Sequence, residues 1–190
     1  MTHFFENIEL KIPKGVYEPR EDTYLLLESV KSIENKKILE MGTGSGLISI
    51  YLSKKNKVTA IDINKNALKT AKKNAKNNKS KINFKYSNLF SNIFSKFDTI
   101  LFNPPYVPKS IEDMYANEKR DFQLNKKDLE KFIKNAKNYL KKGGSCFIVF
   151  SSITPKEFII NLLKKHRYKY KIVNKKKIYW ETLFVAKFSK

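Results

Sequence analysis

The sequence predicts an α/β protein: a seven-stranded, mostly parallel sheet with helices on both faces and an antiparallel hairpin at its C-terminal end. Three observations predict it. Short apolar runs alternate with stretches in which apolar residues recur every three or four positions, the pattern of strands joined by crossover helices. Glycines cluster at the end of the first such run, at Gly42, Gly44 and Gly46, where a strand hands over to a helix. Near the C terminus two alternating runs are separated by too few residues for a crossover, so they must pair antiparallel. At 190 residues, the chain is expected to form a single domain spanning 1–190.

Each element has its own reason. A first helix is expected from about Asp22 to Val30: Pro19 bars backward extension, Glu21, Asp22 and Thr23 bring acids and a cap to its positive end, and Leu25, Leu26, Leu27 and Val30 form an apolar side. A strand at 37–41 follows, then a helix from Leu47 to about Lys54. The next strand, 58–61, is closed by Asp62 and followed by a helix from Asn64 to about Asn77, with Ala67, Leu68, Ala71 and Ala75 on one stripe. Ile82, Phe84 and Tyr86 alternate as a half-buried strand near a sheet edge. A strand at 97–102 stops at Asn103-Pro104-Pro105, because prolines cannot donate to a ladder.

Residues 107–123 have no clean period and read as a loop or short irregular helix. Leu129, Phe132, Ile133, Ala136 and Leu140 mark a helix ending on Lys141-Lys142-Gly143-Gly144, a basic end with a glycine stop. A strand at 145–150 comes next. Thr154, Pro155, Lys156 and Glu157 form a capping box that opens a further helix. The last strands are expected at 168–173 and 178–188, with the turn around Asn174 to Lys176.

Composition narrows the function. Thirty-nine Lys and Arg against 18 Asp and Glu give a net charge of +21, which favours an acidic partner such as nucleic acid. The densest basic run, Lys164 to Lys177, is either a contact surface or a solvated face. Asparagines such as Asn74, Asn77 and Asn78 crowd the chain as lysines do, which fits a general composition bias. One cysteine, Cys146 in an apolar run, excludes a disulfide scaffold and a cysteine-ligated zinc and reads as a buried, inert thiol. No stretch of 18 apolar residues exists and the N terminus lacks a signal-peptide pattern, so the expectation is a cytoplasmic protein without a membrane span. His3 and His166 have no neighbours at metal-binding spacing, and no metal is expected.

The glycine cluster carries the first chemistry. Glycines after a strand let the backbone approach a ligand closely, and amides at the helix start face it. Asp62, at the end of the next strand, can accept both hydroxyls of a ribose. The spacing departs from the dinucleotide fingerprint: the third glycine comes one position early. Glu40 would oppose a pyrophosphate and suits an ammonium group, which points to S-adenosylmethionine. Asn88 and Leu89 follow the third strand, where an amide can bond the adenine amine and a leucine can cover its ring; a turn asparagine with a core leucine is the plainer alternative.

The second chemistry is Asn103-Pro104-Pro105-Tyr106, directly after the fourth strand and beside the cofactor. The Asn103 side-chain oxygen and the Pro104 carbonyl can accept the two hydrogens of a planar NH2 group while Tyr106 packs on its flat face. Two acceptors held by proline stiffness aim the nitrogen lone pair at a sulfonium methyl. Asp98 is expected to orient the strand ends rather than touch substrate.

LEMGTGSG, Asp62, SNLF, FDTILF and NPPY together resemble the class I, Rossmann-like S-adenosylmethionine-dependent methyltransferases of the HemK-like N5-glutamine type. VYEPREDTYLLLESV and the late ETLFVAKFSK are similar to its archaeal and eukaryotic HemK2/Mtq2 branch, which methylates the glutamine of the Gly-Gly-Gln loop in class I translation termination factors. The resemblance implies that Thr23, Glu40, Gly42, Asp62, Asn88, Leu89 and Asn103 line the cofactor, and that Asn103, Pro104 and Tyr106 hold the glutamine amide. It also implies a small Trm112-like zinc-binding activator at the edge strand of Ile82, Phe84 and Tyr86. Two departures stand out: Asn88 replaces the usual acid, and MYANEKRDFQL replaces a glycine-rich stretch beyond NPPY. A planar amide and the exocyclic amine of a base are alike to the motif, so a nucleic acid N-methyltransferase is the alternative.

Overall fold

The computed structural model describes residues 2–105, 126–153, 156–179 and 181–190. Two short strands, β1 (Thr2–Phe5) and β2 (Ile8–Lys11), form an antiparallel hairpin. Then come α1 (Glu21–Val30), β3 (Lys37–Met41), α2 (Leu47–Ser53), β4 (Lys57–Asp62), α3 (Lys65–Asn77), β5 (Ile82–Tyr86) and β6 (Phe97–Phe102). The described chain finishes with α4 (Lys126–Tyr139), β7 (Leu140–Ser151), α5 (Lys156–Lys165), β8 (Lys169–Ile178) and β9 (Glu181–Ser189).

Seven strands form one sheet in the order β5-β4-β3-β6-β7-β9-β8. The first five run parallel, and β9 enters antiparallel between β7 and β8, so the expected architecture is the observed one. One face is covered by α1, α2 and α3 through Leu25, Leu26, Ile48 and Ala67, and it also receives Ile8 and Leu10 of the hairpin. The other face is covered by α4 and α5 through Phe132, Ile133, Leu162 and Leu163, packed on Phe102, Phe150 and Phe188. Strand order reverses beside β3, with β4 on one side and β6 on the other. Ligands of open α/β sheets bind at that crevice, beyond the strands' carboxyl ends.

The structure corrects several local expectations. The N-cap of α1 is Arg20 and carries no side-chain cap bond. Asp22 is buried and takes the first-turn amide of Thr23 through Oδ1 at 2.6 Å. The basic, glycine-ended stop does not terminate α4, which ends at Tyr139. Leu140 already pairs with Phe97, and four residues, 141–144, bulge out opposite Asp98 before Ser145 pairs with Thr99. Gly143 has φ +75°, and a Cβ on Gly144 would lie 3.0–3.1 Å from the carbonyls of Phe97, Asp98 and Lys141, so these glycines build the bulge. Asp98 anchors it by accepting from the Lys37 amide and the Lys141 ammonium, both at 2.8 Å, at the sheet end remote from the site.

The C-terminal turn lies later than expected. The β8 strand continues through 174–176 to Ile178 because a bulge at Val173 absorbs one residue and keeps the later lysines in register with β9. The N-terminal hairpin was not foreseen; its strands have only four residues each. Thr154 and Pro155 of the expected capping box lie outside the described residues. Cys146 is fully buried and its thiol is pushed well above its ordinary value by burial, as an inert core group requires. Among the described residues, no helix is long and apolar enough to cross a membrane.

Candidate active site

A cavity of about 670 Å³ opens at the carboxyl ends of β3, β4 and β6. The turn from β3 into α2 forms its floor. Gly46 caps α2 at φ +91°, and a Cβ there would sit 3.1 Å from the Cβ of Ala71, so α3 packs directly on the turn. Asn74 of α3 completes the support: its amide donates to the Ser45 carbonyl at 2.9 Å and accepts from the Lys11 amide at 3.0 Å. Gly42 and Gly44 face the cavity from this turn.

Both acids of the expected cofactor site are buried against it. Asp62 accepts from the Gly44 amide at 2.9 Å through Oδ2 and from the Asn64 amide at 2.8 Å through Oδ1. Each carboxylate oxygen has a second lone-pair direction with which to accept a ribose hydroxyl. Burial raises the Asp62 pKa, opposed by the backbone amides. Glu40 accepts from the Thr43 hydroxyl at 2.7 Å and from the Ser49 hydroxyl through the same oxygen, Oε2. Burial pushes its carboxyl up to about 7, against the pull of those hydroxyls. A cation placed in the cavity would restore its charge.

Ser87, Asn88 and Leu89 line the far end. Asn88 is exposed, and Leu89 is half-buried with φ +48°, a conformation held by the buried Ser87 hydroxyl, which donates to the Leu89 carbonyl at 2.8 Å. At the near end, Asn103 and Pro104 follow β6, whose register places Phe102 beside Met41. Pro104 is buried and Pro105 exposed; both line the cavity. The Asn103 Nδ2 donates to the Thr23 hydroxyl at 3.5 Å, while Oδ1 is buried without a hydrogen-bond partner. An orphaned buried acceptor in a cavity wall is an uncommon feature and invites a donor.

The cavity gathers Thr23, Glu40, Gly42, Gly44, Gly46's neighbours Ser45 and Leu47, Asp62, Asn88, Leu89, Asn103, Pro104 and Pro105. Gly46 itself supports rather than lines it. Tyr106 and the MYANEKRDFQL segment lie outside the described residues. His3 lies 3.9 Å from Glu18 and His166 at the end of α5, both away from the cavity. The structure adds Val16, Tyr17 and Arg20 before α1, and Ile178, Glu181 and Leu183 from the C-terminal hairpin. The signal for the first group was the VYEPR stretch; the second has no local signature, since the turn's position brings it there.

The wall charge is opposite to that of the whole protein. Among the described residues, Glu21, Asp22, Glu40, Asp62, Asp128 and Glu181 line the cavity against Arg20 alone, in a chain of net charge +21. Such walls repel phosphate and suit a cationic ligand.

The family model of the methyltransferase small domain matches residues 18–181. A Methanocaldococcus jannaschii protein, assigned by inference as a protein N5-glutamine methyltransferase, is 45% identical over 186 residues, covering 95% of this chain and 94% of its own. The chain belongs to the HemK2/Mtq2-like methyltransferases.

This methyltransferase also resembles, at 25% identity and a TM-score of 0.73, a chain of the E. cuniculi Mtq2–Trm112 complex, which methylates the termination factor eRF1; the match covers 93% of this chain and 99% of that one. A release factor glutamine methyltransferase of Streptococcus pneumoniae is 33% identical over 76% of this chain, which spans 57% of that protein. The cofactor of the family is S-adenosylmethionine, and the residues fit it. The acid-lined cavity suits a sulfonium with an ammonium group, the Asp62 lone pairs suit a ribose, and no basic cradle for a pyrophosphate faces Gly42 and Gly44 among the described residues.

Proposed function

We propose that this methyltransferase modifies the side-chain amide nitrogen of the glutamine in the Gly-Gly-Gln loop of a class I translation termination factor. The observation that carries the reading is the buried, partnerless Oδ1 of Asn103 in the cavity wall. A primary amide has two N–H hydrogens, and Asn103 Oδ1 with the Pro104 carbonyl takes one each. Accepting both hydrogens raises electron density on the nitrogen and fixes its direction. Glu40, Asp62, Asn88 and Leu89, with the Gly42–Gly44 backbone and Thr23, hold the cofactor.

When bound, S-adenosylmethionine supplies an electrophilic methyl group on a positively charged sulfur. The chain's residues position the acceptor and stabilise positive charge developing on its nitrogen. Asn103 Oδ1 and the Pro104 carbonyl hold the N–H groups as they become acidic: the N–CH3 bond would form as the S–CH3 bond of the cofactor breaks, its electron pair staying on sulfur, and one N–H proton would then leave to solvent. No strong base is required, since the proton departs from an already acidic nitrogen.

The acidic walls favour a protein amide over a base carried on phosphates, and a glutamine in a flexible loop needs no extrusion from a duplex. The net charge of +21 is the observation on the other side, and the 32% identity to a Buchnera aphidicola ribosomal RNA methyltransferase accompanies it, although the chain spans only 51% of that protein. A small Trm112-like activator is proposed at the β5 edge. Among the described residues that strand pairs with β4 alone, and Tyr86, Phe94 and Ile63 around it are 49%, 88% and 56% exposed. An open strand edge bordered by apolar side chains suits strand addition.

The test offers the purified protein a termination factor, its Gly-Gly-Gln Gln→Ala variant, total tRNA, rRNA and DNA, each with labelled S-adenosylmethionine, with and without a Trm112-like protein. Label in the factor and none in its Gln→Ala variant is the expected result. Label in nucleic acid and none in the factor would contradict it and assign the pocket to an exocyclic amine.

A further inference from the structure

We infer that Asp22 and Thr23 are positioning residues that fix which way round the Asn103 amide sits, so that its oxygen and not its NH2 group faces the methyl acceptor. The inference rests on the reading of Asn103 as the acceptor of a substrate N–H. It extends that reading to two residues that need not touch the substrate.

The two ends of an asparagine amide are nearly identical in shape and opposite in hydrogen-bonding sense. A flipped Asn103 would set an N–H donor against the N–H of the incoming amide and abolish the interaction. Something in the protein must therefore distinguish the two orientations, and the donor and acceptor inventory around Thr23 does so.

Asp22 is the start of the chain of constraints. It is 3% exposed, and its Oδ2 accepts from the Tyr17 phenol at 2.7 Å. Its Oδ1 accepts from the Thr23 backbone amide at 2.6 Å and from the Thr23 hydroxyl at 3.2 Å. An ionised carboxylate only accepts, so the single proton of the Thr23 hydroxyl is committed to Asp22. The Thr23 oxygen then has only lone pairs to offer. The Asn103 atom facing it at 3.5 Å must be the donor, Nδ2, which leaves Oδ1 on the other side, buried and partnerless.

Buried position and element geometry make the device stiff. Thr23 is 8% exposed in the first turn of α1, and Asn103 sits at the end of β6, so two separate elements meet at this contact. Removing the carboxylate at Asp22 releases the Thr23 proton. In Asp22→Ala the Thr23 hydroxyl has lost its acceptor, so it can donate to Asn103 Oδ1 and favours the flipped amide.

The experiment pairs kinetics with a direct view of the amide. Asp22→Ala and Thr23→Val should each lower kcat for the termination factor about ten- to a hundredfold, the scale of a misplaced reacting group. kcat is read at saturating S-adenosylmethionine, so that a change in cofactor affinity does not enter it. Thr23→Ser, which keeps the hydroxyl, should recover most of kcat. In 15N-labelled protein the Asn103 side-chain NH2 signals, identified by their loss in Asn103→Ala, should show a nuclear Overhauser contact to the Thr23 methyl group that disappears in Asp22→Ala. If Asp22→Ala fails to fold, Thr23→Val and Thr23→Ser carry the test by themselves.

An unchanged kcat in both variants, or an NH2 contact that survives Asp22→Ala, would overturn the inference. So would a loss confined to cofactor affinity, since that would make Thr23 a cofactor ligand only. Methyl transfer by the wild type to a base instead of glutamine would sink the substrate reading alone. The spectroscopic result would still decide the orientation of the amide.

Discussion

At Glu40 a buried carboxyl is supported by the hydroxyls of Thr43 and Ser49 and by the Ser49 backbone amide. Its pKa rises from 4.5 to about 7 through burial. In the cofactor-free protein the folded state therefore binds more protons than the unfolded one between those values. The stability owed to the protonated form is fully present below the unfolded pKa and is lost as pH rises through about 7, a cost of about 3 kcal/mol. Glu40→Gln, a neutral isostere, should match the wild type in urea unfolding near pH 4.5 and exceed it at pH 8 by up to that amount. The ionised carboxylate is the form that attracts an ammonium group, so S-adenosylmethionine affinity should rise with pH up to about 7, level off above it, and lose this dependence in Glu40→Gln. Calorimetry across that range checks it, and a pH-independent affinity in the wild type would remove Glu40 from the cofactor site. Glu40, Asp62 and Asn103 were legible because each stands at a strand end, where sequence position alone fixes spatial position. The orientation of Asn103 was not, because it depends on Asp22, 81 positions earlier, holding the proton of the Thr23 hydroxyl.

At the scale of elements, the parallel strands and their helices followed from periodicity, while the N-terminal hairpin did not. Its two four-residue strands are too short to show a period, and part of what holds β2 comes from asparagine side chains in the last turn and at the C-cap of α3. Asn78 accepts from the Glu9 amide at 3.1 Å and donates to its carbonyl at 2.8 Å, and Asn74 accepts from the Lys11 amide. Placed four residues apart on one helix face, the two amides act as a neighbouring strand would. The asparagine excess thus has a structural use at these positions, beyond composition bias. Asn74 is fully buried and also holds the Ser45 carbonyl of the cofactor turn. Asn74→Ala should cost about 2–3 kcal/mol by stranding buried polar groups. Hydrogen exchange should show amides of β2 losing protection while those of β3 and β4 keep theirs. Equal protection of β2 in the variant would mean that the apolar contacts of Ile8 and Leu10 hold the hairpin without help.

Over the whole molecule, a basic exterior surrounds an acidic cavity. The long-range field attracts acidic partners, and the walls then select against phosphate at the site itself. The edge strand β8 concentrates this field: Lys169, Lys171, Lys175 and Lys177 are exposed and its end at Ile178 borders the cavity. Lysines on an edge strand also discourage edge-to-edge association. If they steer the substrate, raising salt should raise KM for the termination factor more than it lowers kcat. A KM independent of salt would leave them the second role only. The central claim is that the cavity holds a glutamine amide, and tandem mass spectrometry of the termination factor after incubation with enzyme and S-adenosylmethionine tests it most directly. The account predicts one added methyl group on the glutamine of the Gly-Gly-Gln peptide, absent when Asn103→Ala replaces the wild-type enzyme. A methyl group on another side chain, or modification that persists with Asn103→Ala, would contradict it.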